Sequence, residues 1–303
     1  MKKIYFVLLA LAFSYTANAC DVCGCSLGGN YFGILPLYNK NFVGFRWSQA
    51  SFYSYIAPTQ NLPAQSSHDT YQKLELWGRY YLTKRIQLFA FVPYVYNDMN
   101  GTDQVVSAQG LGDINVMANY VLLNTGEEKS DFKHTLIAGG GIKLPTGKFS
   151  LTDKGKIINR NFQMGTGSVD FNLNAVYTLR YKKTGINLET GYKINTRNNV
   201  GYLFGNQYRA SAQLFFWQKI GPVSILPHAG MNYEQAAVHK DGDIIQVNTG
   251  GNAWLASGGM DIYVNRFTVG LNYQKPVSQH YNSDETADIT SKARWTASLT
   301  FNF

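Results

Sequence analysis

Apolar and polar side chains alternate along most of this chain with a period of two residues. In KLELWGRYYLTK (residues 73–84), one face carries Leu74, Leu76, Tyr80 and Leu82, and the other carries Lys73, Glu75 and Arg79. Successive side chains of a β-strand point to opposite faces, whereas an amphipathic helix repeats every 3.6 residues. The chain is therefore predicted to be all-β.

About twelve segments show this alternation, namely residues 41–56, 70–83, 85–97, 112–124, 132–145, 166–181, 184–196, 207–219, 222–235, 251–264, 266–279 and 291–303. Their connections alternate in length. Those at 83–84, 183–184, 221–222 and 265–266 are tight, and those at 57–69, 98–111, 146–165, 197–206, 236–250 and 280–290 are long. Short turns at one end and long loops at the other are typical of outer-membrane barrels with an even number of strands and periplasmic chain ends. We predict a transmembrane, antiparallel, up-and-down β-barrel.

The two faces of these segments differ as a bilayer requires. In one segment the outward set is Val169, Phe171, Leu173, Ala175, Tyr177 and Leu179, and the inward set is Asp170, Asn172, Asn174 and Thr178. An uncharged outer face suits lipid, because Lys or Arg at the bilayer midplane costs about 2–4 kcal/mol. We therefore expect the lipid bilayer of the outer membrane as a partner.

The chain ends in RWTASLTFNF, where alternate apolar residues lead to the terminal Phe303. This end resembles the C-terminal signal by which bacterial assembly machinery recognises outer-membrane barrels. That machinery is the second partner we expect.

The N-terminus predicts export from the cytoplasm. Lys2 and Lys3 precede an apolar run from Ile4 to Phe13, and Ala17-Asn18-Ala19 forms a cleavage signal. The run falls short of the roughly twenty apolar residues that a membrane-spanning helix needs. We assign residues 1–19 to a signal peptide, 20–40 to a cysteine-containing periplasmic tail or plug, and 41–303 to the barrel.

Charge and side-chain spacing disfavour two other classes of protein. Without Lys2 and Lys3 the chain has 25 basic and 19 acidic residues, and no block of Lys or Arg resembles a nucleic-acid patch. We therefore expect no nucleic acid as a partner. An outer-membrane lipase needs a serine close to a histidine on a strand, yet neither His134 nor His228, the histidines well inside predicted strands, has a serine at an alternate position. We expect no enzymatic activity.

Three cysteines, Cys20, Cys23 and Cys25, lie within six positions. Lipidation of Cys20 would leave Cys23 and Cys25 for a small, labile disulfide. The Cys-x-x-Cys-x-Cys spacing also supplies three thiolate ligands for a metal ion. Copper(I) fits them better than zinc, because structural zinc prefers four ligands. The sequence therefore leaves two hypotheses for the cysteines. They form either a copper site that uses all three, or a lipid anchor or disulfide.

The next segment, SLGGNYFGILPLYNKN (residues 26–41), is too apolar for an exposed tail. Because it starts from the periplasmic end of the predicted barrel, it would enter the lumen as a small plug.

Three motifs resemble those of a known family: GLGDINVMANYVLL (110–123), GGGIKLPTGKF (139–149) and GTGSVDFNLNAVYTL (165–179). Over residues 40–303 the chain is similar to the bacterial outer-membrane family named for the meta-pathway of phenol degradation. Its barrels are distantly similar to long-chain fatty-acid transporters. The resemblance implies passive transport of small, often hydrophobic or aromatic solutes, without identifying the solute.

The barrel topology brings three charged residues of these motifs to one place. Asp113 opens the fourth strand, Lys143 closes the fifth and Asp170 opens the sixth, all with inward parity near the outer rim. With Arg79 and Arg209 elsewhere on the inner wall, they are candidates for solute selection at the mouth. Alternatively, these charges pair with one another merely to hold the loops. The basic loop at 146–165 either folds inward as a constriction or binds an acidic surface outside.

These features together predict an outer-membrane channel for small, hydrophobic solutes that cross by passive diffusion. The cysteine cluster leaves copper-related transport or binding as an alternative. A structural or adhesive barrel is a further alternative.

The state of the three thiols can be read from the native intact mass of the protein purified from outer membranes. A copper site predicts a mass gain of one metal ion, which is lost when Cys23 and Cys25 are both changed to serine. A metal-free chain with an acylated Cys20 or a closed disulfide would contradict the copper site.

Overall fold

A computed structural model describes residues 40–58, 63–102, 105–126, 128–153, 156–157, 160–281 and 287–303. The predicted signal peptide, the three cysteines and residues 26–39 of the predicted plug lie outside these residues. Among the described residues, no helix is long and apolar enough to cross a membrane.

Twelve strands form one closed antiparallel sheet. They are β1 (Phe42–Ile56), β2 (Gln65–Tyr81), β3 (Ile86–Gly101), β4 (Val105–Leu111 and Ile114–Asn124), β5 (Phe132–Leu144), β6 (Asp170–Tyr181), β7 (Thr184–Ile194), β8 (Gln207–Phe216 and Gln218–Ile220), β9 (Val223–Ala236), β10 (Gly251–Val264), β11 (Phe267–Tyr281) and β12 (Ala287–Asn302). The predicted barrel is confirmed.

Pairing of the first strand with the last closes the sheet. β1 pairs with β12 from Phe42 opposite Asn302 to Ile56 opposite Ala287, and every other strand pairs with its neighbours in sequence. Each strand therefore has a hydrogen-bonded partner on both sides. The hydrocarbon core of a membrane demands this, because each unsatisfied backbone group there costs several kcal/mol.

Alternate side chains along each strand point to opposite sides of the barrel wall. Leu173 and Leu271 point outward and are more than half exposed, whereas Glu75 and Asp170 point into the lumen and are almost fully buried. The outer belt is apolar and the inner wall carries most of the polar and charged groups. This distribution, together with the closed sheet, locates the chain in the outer membrane.

Several strands reach further outward than the alternation predicts. β2 starts at Gln65, β4 at Val105 and β12 at Ala287, so much of the predicted loops at 57–69, 98–111 and 280–290 is strand. The outward residues in the added part of β2, such as Ser66 and His68, are polar because they stand above the lipid. The inward residues of these stretches include the buried, apolar Met99, Val106, Ala108 and Ile289, so the apolar-outward alternation of the lipid-spanning part is not kept there. Conversely, residues 166–169, which were predicted as strand, belong to a loop.

The strand β4 is interrupted at Gly112 and Asp113, close to its outer end. The gap lies opposite the loop between β5 and β6, residues 145–169. Thr146 occupies the gap, since its hydroxyl donates to the Gly112 carbonyl (2.8 Å) and accepts from the Ile114 N–H (2.9 Å). These two hydrogen bonds attach the loop at residues 145–169 to the barrel wall at the interruption.

Candidate functional site

The loop at residues 145–169 folds into the barrel, and we name it the inward loop. Its short 3-10 helix, Arg160–Phe162, brings Phe162 to the inner wall formed by β2 and β3. Phe162 is fully buried there, with its ring 5.0 Å from that of Tyr71 and its carbonyl accepting from the Asn97 amide (3.4 Å). The sequence left two possible positions for this loop, inside the barrel or outside it. The structure shows the loop inside.

Asp113 holds both ends of the inward loop. Its carboxylate accepts from the Gly147 N–H (2.9 Å) at the start of the loop and from the Thr166 N–H (2.8 Å) near its end. The Thr166 hydroxyl donates to the same carboxylate (3.1 Å). Hydrogen bonds to a charged acceptor are roughly twice as strong as neutral ones, so this one side chain fixes the base of the loop.

The glycines of the motifs allow this base to close. A side chain on Gly147 would strike the backbone of Gly165, and a side chain on Gly165 would strike the Asp113 carboxylate and the Gly147 backbone. The two loop ends can approach this closely only because both residues lack a Cβ. The motifs that begin at Gly110, Gly139 and Gly165 therefore meet at one point of the fold.

Lys143 brings the predicted trio together. Its ammonium group lies 2.5 Å from the Asp113 carboxylate and 2.9 Å from that of Asp170, and it also donates to the Thr166 hydroxyl. Lys193 approaches Asp170 at 3.7 Å from the neighbouring strand β7. The trio is buried and ion-paired beneath the base of the inward loop.

The two predicted arginines lie apart from this trio. Arg209 faces the lumen from β8 and pairs with Glu189 at 3.1 Å. Arg79 lies at the periplasmic end of β2, where it donates to the Lys40 carbonyl (2.8 and 3.1 Å) and stacks over Phe42. Arg79 thus contacts the chain where it enters the barrel, at the end opposite the outer mouth.

Two further loops extend the contacts of the inward loop, one directly and one through its neighbour. The loop at 195–206 reaches it through the Asn198 amide, which donates to the Thr166 carbonyl (2.9 Å). The loop at 237–250 joins through His239, whose Nδ1 lies 3.0 Å from the Tyr202 hydroxyl. Phe149 of the inward loop packs with Tyr202 and Phe204 in one apolar cluster.

Sequence analysis missed other ion pairs on the inner wall. Arg46 binds Glu75 through its Nε (3.0 Å) and a terminal nitrogen, and Lys73 lies 3.2 Å from the same carboxylate. Arg294 donates two hydrogen bonds, of 2.7 and 2.6 Å, to the Glu234 carboxylate. The sequence signal for these residues is their position on the inward face of strands whose outward face lacks charge.

Two adjoining cavities occupy the outer half of the lumen, since Lys193 and Gln207 line both. The larger, of about 160 Å³, lies under the inward loop and includes Asp113 and Lys143 in its wall. The smaller, of about 70 Å³, is lined by Arg209, Glu234 and Tyr281 among others. The space beside Asp113 and Lys143 is therefore open to a ligand.

The described part of the chain holds no cluster of three His, Cys, Asp or Glu side chains that could bind a metal ion. Cys20, Cys23 and Cys25 lie outside this part, so the copper hypothesis rests on the sequence alone.

Changing Asp113 to asparagine is expected to loosen the base of the inward loop. Asparagine keeps one acceptor oxygen but turns an NH2 group toward the Lys143 ammonium, and it loses the charge that strengthens both backbone hydrogen bonds. Because a hydrogen bond to a charged group contributes about 1.5–3 kcal/mol, amide exchange at Gly147 and Thr166 should rise at least about tenfold. Hydrogen exchange followed by mass spectrometry measures this.

Asp98→Asn is the matched control, since Asp98 is on the outward side of the barrel and accepts a hydrogen bond from the Ser107 hydroxyl. It should leave the exchange of Gly147 and Thr166 unchanged. Equal exchange in wild type and Asp113→Asn would show that Asp113 does not anchor the loop.

Comparison with known proteins gives the same fold. No family model and no curated protein sequence matches the chain. An outer membrane channel from Pseudomonas putida F1 is similar in structure, with a TM-score of 0.65 and 13% identity over 91% of this chain and 100% of the channel.

Two further solved structures are more distant. A FadL homologue from Pseudomonas aeruginosa has a TM-score of 0.44 and 9% identity over 87% of this chain and 90% of its own. The NanC porin has a TM-score of 0.41 and 10% identity over 85% of this chain and 100% of its own. At such identities the likeness to the Pseudomonas putida channel establishes the fold, and this chain is an outer-membrane β-barrel of that architecture.

Proposed function

We propose that this barrel is a channel through which small, partly apolar solutes cross the outer membrane by passive diffusion. The observation that carries the proposal is the lumen, where open cavities lie next to a loop that narrows the passage. The resemblance of its motifs to the phenol-degradation family, and the likeness to an outer membrane channel, favour the same function.

The inner wall has surfaces for both apolar and polar parts of a solute. Its periplasmic half carries an apolar cluster of Phe42, Trp77, Phe89, Phe91 and Met117. Asparagines line the wall from β4 to β7, and the amide groups of Asn174, Asn119 and Asn187 include buried atoms without a hydrogen-bond partner among the described residues. Unpaired amides beside an apolar surface suit a solute that has a polar group on an apolar body.

The trio of Asp113, Lys143 and Asp170 would select solutes through the position of the inward loop. Their charges form ion pairs with one another, and Asp113 also binds the base of the loop. These contacts agree with a role in holding the loop. A shift of the base would change the width of the passage. We therefore assign them control of the constriction rather than direct contact with every solute.

Residues 26–40 are proposed as a plug that enters from the periplasm. Arg79, which faces the lumen, holds the Lys40 carbonyl, so the chain just before β1 lies on the inner side of the wall. The apolar cluster around Trp77 and Phe91 offers a surface that the aromatic and aliphatic residues of this segment could cover.

Conductance in planar bilayers tests the constriction. Loss of a fully buried phenylalanine costs about 3–5 kcal/mol, so Phe162→Ala should detach the inward loop and raise the single-channel conductance above that of wild type. Phe216→Ala removes an exposed, lipid-facing ring and should leave the conductance unchanged. Absence of conductance in both wild type and Phe162→Ala would favour a structural or adhesive barrel.

Deletion of residues 21–38 tests the plug by the same recording. If the segment fills the periplasmic half of the lumen, the deletion raises conductance independently of Phe162. An unchanged conductance would exclude the plug and leave the channel function standing.

A further inference from the structure

Arg160 differs from the other basic side chains around the larger cavity. Lys73, Lys143 and Lys193 each have a carboxylate within 4 Å, at 3.2, 2.5 and 3.7 Å respectively. Among the side chains that the structure describes, no carboxylate lies within 4 Å of the Arg160 guanidinium. Arg160 is nevertheless partly buried at the start of the 3-10 helix of the inward loop.

Aromatic rings hold this guanidinium in place. It stacks over Phe149 at 5.1 Å and over Tyr202 at 5.5 Å, measured to the ring centres. Such stacking orients the planar group and strips water from its faces, while its N–H groups at the edge stay available as donors. Arg160 also lines the cavity of about 160 Å³, so a ligand there can reach it.

The cavity as a whole carries excess positive charge. Its wall contains Lys73, Lys143, Arg160 and Lys193 but only Glu75 and Asp113 as acids. Counting Arg46 and Asp170, which pair with wall residues from behind, gives five basic and three acidic side chains. Confined positive charge without a counter-charge is costly, so this cavity favours an anion.

We propose that this cavity binds a small organic carboxylate, with Arg160 as its principal partner. The guanidinium fork matches the two oxygens of a carboxylate and can donate two parallel hydrogen bonds to it. Tyr71, Val95, Met164 and Phe204 line the same cavity and offer apolar contact to the rest of the molecule. Its volume of about 160 Å³ is similar to that of a cavity of about 150 Å³ that holds benzene, which suits a single-ring acid.

This assignment rests on the proposed channel, because the ligand would reach the cavity through the lumen. It narrows the solute class from partly apolar molecules in general to those with one carboxylate.

Calorimetric titration of the full chain in detergent micelles with benzoate tests the site. Benzamide is the neutral match for benzoate in size and shape. We expect benzoate to bind at least tenfold more tightly than benzamide. Arg160→Gln should weaken benzoate binding at least tenfold and leave benzamide binding unchanged, and Arg160→Lys should restore it in part because it keeps the charge without the planar fork.

Arg85→Gln is the control, since Arg85 lies outside the lumen and contacts the Tyr120 hydroxyl. It should bind benzoate as wild type does, and all variants should keep the gel mobility shift of a folded barrel. Equal affinity for benzoate and benzamide, or an unaffected Arg160→Gln, would overturn the proposal. Displacement of benzoate by equimolar inorganic phosphate would overturn the assignment of a carboxylate.

Binding in micelles does not require passage through the membrane. Benzoate binding without conductance would therefore refute the channel while the site stands, and conductance without benzoate binding would refute the site alone.

Discussion

The rest of this structure depends on the closure of the sheet by β1 and β12. A lipid-embedded sheet has no water to satisfy an open edge, so the register from Phe42 opposite Asn302 onward is a condition for the fold. Closure also creates an interior that lipid cannot reach. Charged and amide side chains are tolerated on that inner wall, and the same parity that makes the outside apolar concentrates them there. The candidate site is a consequence of this enclosure.

Within the lumen, Asp113 connects the wall to the inward loop more directly than any other described residue. It binds Lys143 of β5 and the backbone at Gly147 and Thr166. The pair with Lys143 is buried, and a buried ion pair gives little net stability by itself because both ions lose water. Its contribution is positional: the charges and the two glycines determine where the loop leaves the wall and where it returns.

The sequence allowed the barrel, the parity of its faces and the meeting of Asp113, Lys143 and Asp170 to be predicted, because all three follow from a period of two and from strand order. The inner partners Arg46 and Glu75 could have been predicted from parity as well, but their pairing depends on the register of β1 and β2. The path of Phe162 across the lumen could not be predicted, because a loop has no repeating pattern. For the same reason the stacking of the Arg160 guanidinium on Phe149 and Tyr202 is visible only in the three-dimensional structure.

The base of the inward loop also bears on the order in which the protein folds. Its contacts join β4, β5 and β6, which are consecutive in sequence, whereas closure joins the two ends of the chain. Local contacts have a smaller loop-closure cost and form sooner than distant ones. We therefore expect the loop to be tethered while the sheet is still open, so that the last strand pairs around a segment already in position. A chain assembled in this order never has to thread the loop into a finished cylinder.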